Sequence, residues 1–153
     1  MKDSIVIFRL YQARGLAGLS KCVRRGVGCV VTTPDNIVLS EGYNGWLRNA
    51  LGDTCGSQGK CSREGLNSGE SPGVGCVHAE QNAIINASRN GVSLVNSYLF
   101  CDTLPCEMCA KMIVQAGVSK VYVVAGSYPN PAGVNLLAKS GVPVYEVSLE
   151  AKH

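Results

Sequence analysis

Apolar residues recur near the start of the chain at the spacing of one helical face. Val6, Leu10, Ala13 and Ala17 are separated by 4, 3 and 4 positions, and residues at these intervals lie on one side of an α-helix. We therefore predict that the chain opens with an amphipathic helix.

A β-hairpin follows in the pattern. The run 26–33 (GVGCVVTT) is rich in β-branched residues, and 37–40 is again apolar and β-prone. The residues between them, Pro34-Asp35-Asn36, are typical of a turn. Two β-prone runs separated by a turn predict an antiparallel hairpin, which we expect to end at Gly42.

Residues 43–76 show no periodicity and hold 8 of the 18 glycines. Long loops inside compact domains are usually functional or fastened by a ligand. We expect this segment to be a loop insertion beside an active site.

From position 79 the pattern alternates between helical and extended segments. Each helical pattern ends at a glycine, the residue type that most often follows a helix. The predicted elements are helices over 79–90, 106–116 and 130–140 and strands over 95–101, 118–125 and 142–147. Together with the opening helix and the hairpin, they predict a single α/β domain over 1–153. Its five-stranded mixed sheet has helices over it, and its later strands are parallel.

Composition narrows the class of protein. Hydrophobic residues make up 46% of the 153 residues, too many for a disordered chain, and the longest apolar runs have the length of a strand rather than of a membrane span. The net charge of +3 and the 6% aromatic content give no basis for a surface that binds nucleic acid. Because Asp3 interrupts the start of the chain and no long apolar segment follows, we expect no secretory leader and a cytoplasmic protein (host cytoplasm, for a viral source).

Eight cysteines are many for a reducing compartment. A disulfide framework would suit a small secreted protein, whereas metal ligation would suit a cytoplasmic one, and we favour metal ligation. Since the second histidine, His153, is the last residue, a ligand cluster inside the fold would use His78. The cysteines are Cys22, Cys29, Cys55, Cys61, Cys76, Cys101, Cys106 and Cys109.

Cys106 and Cys109 form a Cys-x-x-Cys at a predicted helix start, directly after Pro105. Three helical steps turn by about 300°, so both sulfur atoms project from one face. The exposed N–H groups of a helix start favour the thiolate, which is the form that binds metal. A thioredoxin-like redox pair and two packed thiols remain alternatives for this motif alone.

His78-Ala79-Glu80 favours the metal. It also begins a predicted helix, and by itself it is more often a solvated helix start with a favourable acid. A His-x-Glu followed by Pro-Cys-x-x-Cys is the signature of zinc deaminases, in which one imidazole and two thiolates hold Zn²⁺ and the glutamate is the general acid and base. We therefore predict Glu80 as the catalytic residue and His78, Cys106 and Cys109 as ligands of a catalytic zinc.

Four stretches resemble the deoxycytidylate (dCMP) deaminases of the cytidine-deaminase superfamily. They are CVRRGVG at 22–28, GYNG at 42–45, HAEQNAI at 78–84 and PCEMCAK at 105–111. The resemblance covers about residues 20–147 and implies the cytidine deaminase-like fold, a three-layer α/β/α arrangement. It implies hydrolysis of dCMP to dUMP and ammonia, which supplies dTTP synthesis. One departure is Asp102, where the family usually has threonine.

The resemblance also implies substrate, effector and subunit contacts. Asn44 would bind near the deoxyribose, and Tyr128 would lie at the pocket rim. Many relatives are hexamers that dCTP with Mg²⁺ activates and dTTP inhibits, so we expect a homo-oligomer in which Arg89 has an interface or regulatory role.

A second zinc is a further expectation. Cys22, Cys55, Cys61 and Cys76 fall at element ends or in the long loop, where they are either scattered thiols or a Cys₄ site that ties the loop down. Many dCMP deaminases carry a second zinc near these segments, so the resemblance favours the structural zinc. Cys29 and Cys101 lie in predicted strands and are expected to be buried.

Arginines near these cysteines have two competing roles. Arg24, Arg25 and Arg63 could offset the negative charge of four thiolates, or a guanidinium could bind the 5′-phosphate of the substrate. We favour Arg24 for the phosphate, with Arg48 as a second candidate, over a simple solvated basic edge.

Two other functions remain open from sequence alone. Another zinc deaminase would act on a nucleoside, a free base, a 5-substituted dCMP or a nucleic-acid base. A non-catalytic zinc module would use its cysteines for folding or partner binding, and it would lose nothing when Glu80 is replaced.

Overall fold

The computed structural model describes residues 1–48, 59–66, 75–127 and 130–149. Each predicted helix and strand is present in this part of the chain. In chain order the elements are α1 (Asp3–Ala17), β1 (Gly28–Thr32), β2 (Val38–Tyr43), α2 (Ala79–Arg89), β3 (Tyr98–Cys101), α3 (Glu107–Gln115), β4 (Lys120–Val124), α4 (Pro131–Lys139) and β5 (Val144–Val147).

The strands form one mixed sheet in the order β2-β1-β3-β4-β5. Strand β1 is antiparallel to both β2 and β3, whereas β3, β4 and β5 are parallel to one another. This confirms the predicted hairpin and the predicted parallel arrangement of the later strands. Parallel neighbours need a crossover between them, which α3 and α4 provide.

Side chains that alternate along the strands divide the core between the two faces of the sheet. On one face, Val30 and Phe100 pack with Leu10 of α1. On the other face, Cys29 and Cys101 pack with residues of α2, α3 and α4. The helices therefore cover the sheet from both sides, which is the three-layer arrangement that the resemblance implies.

Helix α2 is fastened to the edge strand β2. A side chain added at Gly42 would place its Cβ 2.4 Å from the Ala79 carbonyl oxygen and 2.4 Å from the Ala83 nitrogen, so glycine permits this close approach. Three side chain to backbone hydrogen bonds reinforce it: Ser40 Oγ to the Ala83 oxygen at 2.7 Å, Asn82 Nδ2 to the Tyr43 oxygen at 2.8 Å, and Asn86 Nδ2 to the Glu41 oxygen at 2.9 Å.

The two ends of the long loop are joined. Gly45 and Val77 form an isolated antiparallel bridge with two backbone hydrogen bonds of 2.9 and 3.0 Å. This bridge holds the residue before His78 against the end of the hairpin, so the start of α2 has a fixed position.

No helix within the described ranges combines the length and the apolar character that crossing a bilayer requires.

Replacement of Gly42 by alanine should destabilise the protein by about 1–3 kcal/mol, because the new methyl group overlaps the backbone of α2. Gly15 is the matched control, since it is a helical glycine on α1 with no atom within 4 Å of an added Cβ. Gly15→Ala should be neutral or stabilising by roughly 0.5–1 kcal/mol. Urea unfolding of both variants checks this, and equal midpoints would contradict the close packing of α2 on β2.

Candidate active site

The N-termini of two helices bring one imidazole and two thiols together. His78 is the residue before α2, Cys106 is the residue before α3, and Cys109 lies in the first turn of α3. The Nδ1 atom of His78 is 3.5 Å from the Cys106 sulfur and 3.4 Å from the Cys109 sulfur. All three ligand atoms lie within 4.8 Å of one another.

Local hydrogen bonds hold these residues at the helix starts. The Gln81 side-chain oxygen accepts a 2.8 Å hydrogen bond from the His78 backbone N–H, as in one half of a capping box. The Cys106 sulfur accepts the Cys109 backbone N–H at 3.4 Å. Each ligand position is therefore set by the ordinary requirement to satisfy backbone N–H groups at a helix start.

The donor set fits zinc. With Zn–N near 2.0–2.1 Å and Zn–S near 2.3 Å, tetrahedral geometry puts a ligand nitrogen about 3.5 Å from each ligand sulfur, and the observed separations are 3.4 and 3.5 Å. Two sulfurs and one nitrogen are ligands that zinc prefers, and three protein ligands leave one coordination position open, as in catalytic zinc sites. His78, Cys106 and Cys109 would hold the ion.

The thiols are already polarised for metal binding. The Cys106 sulfur accepts a hydrogen bond from the Cys109 thiol, which together with His78 lowers the pKa of Cys106 to about 4. The same bond raises the pKa of Cys109, since its proton is held by Cys106. The hydrogen bond to Cys106 raises the pKa of His78, and burial, with a smaller contribution from the charge of Arg63, opposes that rise. Metal binding would displace the shared protons.

Glu80 lies beside this group and is withdrawn from water. Its side chain is 2% exposed, and burial raises its pKa to about 7. A carboxyl group with a pKa near neutrality exchanges a proton readily in both directions, as a general acid and base must. In the described part of the chain its carboxyl is not in a salt bridge within 4.0 Å, and the charge of His78 only partly offsets the effect of burial.

Cys29 and Cys101 differ from the cysteines of the ligand group because they lie within strands of the sheet. Cys29 and Cys101 are fully buried, face each other across β1 and β3, and have raised pKa values: burial is the main cause for Cys29, and a hydrogen bond to Cys29 is the main cause for Cys101. They behave as small apolar side chains, as predicted.

The described residues do not test the predicted structural zinc. Among the described residues, the sulfur atoms of Cys22, Cys61 and Cys76 do not form a group close enough to hold one metal ion, as the ligand atoms of His78, Cys106 and Cys109 do. The fourth predicted ligand, Cys55, lies outside the described residues, so the second zinc stays a prediction.

Asn44 is buried and holds backbone. Its side-chain oxygen accepts the Val27 N–H at 2.8 Å, and its Nδ2 donates to the Arg25 carbonyl oxygen at 2.8 Å. Asn44 therefore fixes the segment that carries Arg24. Its predicted contact with the deoxyribose stays a prediction.

The two arginines predicted to bind the phosphate, Arg24 and Arg48, line different cavities. Arg24 and Arg63 line a cavity of about 520 Å³ with Cys61. Arg48 and Arg89 instead line a cavity of about 780 Å³ on the outer face of α2. Arg48 thus lies with the predicted regulatory arginine rather than with Arg24.

Asp102 and Tyr128 complete the predicted positions. The Asp102 carboxylate accepts the Gly28 N–H at 3.2 Å, and burial is the main reason why its pKa is raised. In the described structure this acid fastens β3 to β1. Tyr128 lies outside the described residues, and its place at the pocket rim stays a prediction.

Two positioning residues escaped the sequence reasoning. Gln81 could have been found, since a glutamine three residues after a helix cap is half of the capping-box pattern. Gly133 of α4 could not, because the sequence does not reveal that an added Cβ there would lie 2.0 Å from the Pro105 carbonyl oxygen. That contact places the start of α4 against the loop that carries Cys106.

The comparison with known families agrees with this geometry. Residues 7–125 match the family described as the cytidine and deoxycytidylate deaminase zinc-binding region, and this match includes all three ligands and Glu80. The chain belongs to this family.

Individual relatives are similar over most of this chain. Deoxycytidylate deaminase of Saccharomyces cerevisiae is 33% identical over 135 residues, which is 86% of this chain and 41% of the yeast protein. ComE operon protein 2 of Bacillus subtilis is 30% identical over 91% of this chain and 69% of its own length. The chain thus spans well under half of the yeast relative.

A solved structure has nearly the same extent as this chain. The dCMP deaminase of cyanophage S-TIM5, crystallised in complex with dCMP and dUMP, is 31% identical with a TM-score of 0.78. The alignment covers 96% of this chain and 99% of the phage protein.

The site predicts that Cys109→Ala removes one zinc ion per chain relative to the unchanged protein, because it deletes one of three protein ligands. Cys101→Ala is the matched control, since both thiols are fully buried but only Cys109 belongs to the ligand group. Elemental analysis of both purified variants measures this. Equal zinc content in the two would contradict the assigned ligands.

Proposed function

We propose that this protein hydrolyses dCMP to dUMP and ammonia. The observation that carries the proposal is that the ligand atoms of His78, Cys106 and Cys109 lie close enough together to hold one metal ion, beside the buried carboxyl of Glu80. Membership of the deaminase family and the likeness to a phage dCMP deaminase that binds dCMP and dUMP support the choice of substrate.

When bound, zinc would act as a Lewis acid that activates water at neutral pH. The chain supplies the proton transfers. Glu80, with a pKa of about 7, takes a proton from the attacking water and delivers it to N3 of the pyrimidine. It then takes the remaining proton of the hydroxyl added at C4 and passes it to the amino group, which leaves as ammonia while the C4 carbonyl forms. Burial of Glu80 keeps these transfers away from bulk water, which would otherwise compete for the proton.

The phosphate of the substrate would bind at the cavity that Arg24 and Arg63 line. Arginine binds a phosphate through two parallel hydrogen bonds, and Arg63, which lines this cavity, is also one of the charges that act on His78; both support this choice. The Asn44 side chain holds the backbone beside Arg24. Discrimination between dCMP and deoxycytidine would arise here.

The cavity on the outer face of α2 suits an anionic effector. Arg48, Arg89 and Lys21 line it together with Tyr43 and Trp46, which offers cationic groups for phosphates and rings for a base. We propose that a nucleoside triphosphate such as dCTP, with Mg²⁺, or dTTP binds there in a homo-oligomer. Activity measured with and without dCTP, in the unchanged protein and in Arg89→Ala, tests this, and a response that Arg89→Ala retains would contradict it.

Two further proposals concern zinc and compartment. A second zinc on Cys22, Cys55, Cys61 and Cys76 would raise the zinc content to two ions per chain, and a measured content of one ion per chain would contradict it.

A cytoplasmic location (host cytoplasm, for a viral source) suits thiol ligands that must stay reduced, and fractionation of the cells that make the protein tests it.

Glu80→Gln should lower kcat by roughly 10²–10⁴-fold, since an amide transfers no proton in these steps, while the zinc content stays unchanged. Glu146→Gln, an exposed carboxyl on β5, is the control and should keep full activity. Ammonia release from dCMP measures both. Retained activity in Glu80→Gln would contradict the catalytic role of Glu80, whereas no ammonia release from the unchanged protein would contradict the enzyme and favour a non-catalytic zinc module.

Arg24→Gln should lower kcat/KM for dCMP by about 10–100-fold and leave deoxycytidine turnover unchanged, because only the nucleotide has a phosphate to lose contact with. Arg25→Gln is the neighbouring control, since Arg25 does not line the cavity. Equal losses for nucleotide and nucleoside would show that Arg24 does not bind the phosphate.

A further inference from the structure

A short irregular segment joins the phosphate cavity to the sheet. Arg24 lines the cavity, strand β1 begins at Gly28, and the three residues between them belong to no helix or strand. No regular hydrogen-bond ladder therefore fixes residues 25–27. The position of Arg24 depends on the other contacts that hold this backbone.

Two polar side chains from other strand ends supply such contacts. Asn44, directly after β2, accepts the Val27 N–H at 2.8 Å and donates to the Arg25 carbonyl oxygen at 2.8 Å. Asp102, directly after β3, accepts the Gly28 N–H at 3.2 Å with its carboxylate and donates its own backbone N–H to the Gly28 oxygen at 3.3 Å. All four bonds end on backbone atoms of the segment, so they set its path.

Helix α1 closes off one side of the same segment. An added Cβ at Gly26 would lie 2.3 Å from the Ala17 carbonyl oxygen, and one at Gly28 would lie 1.9 Å from the Ala13 carbonyl oxygen. The backbone thus lies directly on the helix and cannot move further towards it. Movement in the other directions is restrained by the side chains that bond it.

The Asp102 carboxylate acts on this segment through backbone rather than through an ion pair. Burial raises the pKa of Asp102, while the bond from Gly28 and the charges of Arg25 and Arg14 oppose that rise. In the described part of the chain Asp102 forms no salt bridge. It also lines neither of the two cavities described above, so any influence on the substrate is indirect.

We propose that Asp102 is a positioning residue for nucleotide selectivity, whose carboxylate holds the segment at Gly28 and thereby keeps Arg24 at the phosphate cavity. This rests on the proposed function. The family usually has threonine at this position, so the acid is a feature of this chain. A carboxylate accepts a hydrogen bond more strongly than a hydroxyl does, which suits it to fix a backbone that has no ladder of its own.

The test compares Asp102→Ala, which removes the acceptor, with Asp102→Asn, which keeps an acceptor oxygen. Asp102→Ala should lower kcat/KM for dCMP by about 10-fold through a higher KM, because a misplaced binding group weakens the hold on the substrate. Its kcat for dCMP, its kcat/KM for deoxycytidine and its zinc content should not change. Asp102→Asn should stay within about 3-fold of the unchanged protein, since its side-chain oxygen still accepts the Gly28 N–H.

A double variant tests whether Asp102 acts through Arg24. In an Arg24→Gln background, Asp102→Ala should cause no further loss of kcat/KM for dCMP, because the contact that it positions is already gone. Losses that multiply would show that the two residues act independently, and they would contradict the proposal.

Ser119→Ala is the matched control for stability. Ser119 makes a similar double contact at the opposite end of the parallel strands, since its backbone N–H and its hydroxyl both donate to the Ser97 oxygen, at 2.8 and 3.0 Å. Ser119→Ala should lower the melting temperature and keep the ratio of kcat/KM for dCMP to that for deoxycytidine. Asp102→Ala should lower that ratio.

Three results would overturn the role of Asp102. Unchanged kinetics in Asp102→Ala would show that the segment does not need the carboxylate, and a higher kcat/KM for dCMP would show that the acid only repels the phosphate. Equal losses for dCMP and deoxycytidine, or a loss of zinc, would show general support of the site. In all three the unchanged protein still converts dCMP, whereas its failure to do so, which is measured first, would contradict the proposed function and the role of Asp102 with it.

Discussion

The chemistry of this protein depends on the convergence of two helix N-termini at one edge of the sheet. A helix start carries unsatisfied N–H groups and a positive end of the helix dipole, which favour the thiolate form of a cysteine. At the start of α3 this field and the Cys109 N–H act on Cys106. His78, directly before α2, lies within 3.5 Å of that sulfur, so with Cys109 the group offers three of the four ligands of a tetrahedral metal site.

The rest of the fold fixes this convergence. The glycine at position 42 and three side-chain hydrogen bonds hold α2 on β2, and the bridge between Gly45 and Val77 fixes the residue before His78. Gly133 lets α4 approach the loop before Cys106. The approaches at Gly42 and Gly133 are between backbones, so they tolerate little adjustment, and a small displacement of either helix would separate the ligands.

Burial has opposite chemical consequences for the titratable groups near the sheet. Burial raises the pKa of Cys29, and the hydrogen bond to Cys29 together with burial raises the pKa of Cys101, so both thiols stay neutral. For Glu80 it raises the pKa only to about 7, where the carboxyl still exchanges its proton at neutral pH. The difference follows from their starting values, since a carboxyl raised by burial reaches neutrality whereas a thiol raised by burial leaves it.

Local sequence patterns determined the elements, the mixed sheet and the ligand set, because helix periodicity, turn residues and the Cys-x-x-Cys spacing are set by neighbouring positions. The motif residues His78, Glu80, Cys106 and Cys109 were identifiable for the same reason. Tertiary structure alone decided which arginines share a cavity and that the Asn44 amide binds backbone. These properties depend on contacts between segments far apart in the chain, and no local spacing records such contacts.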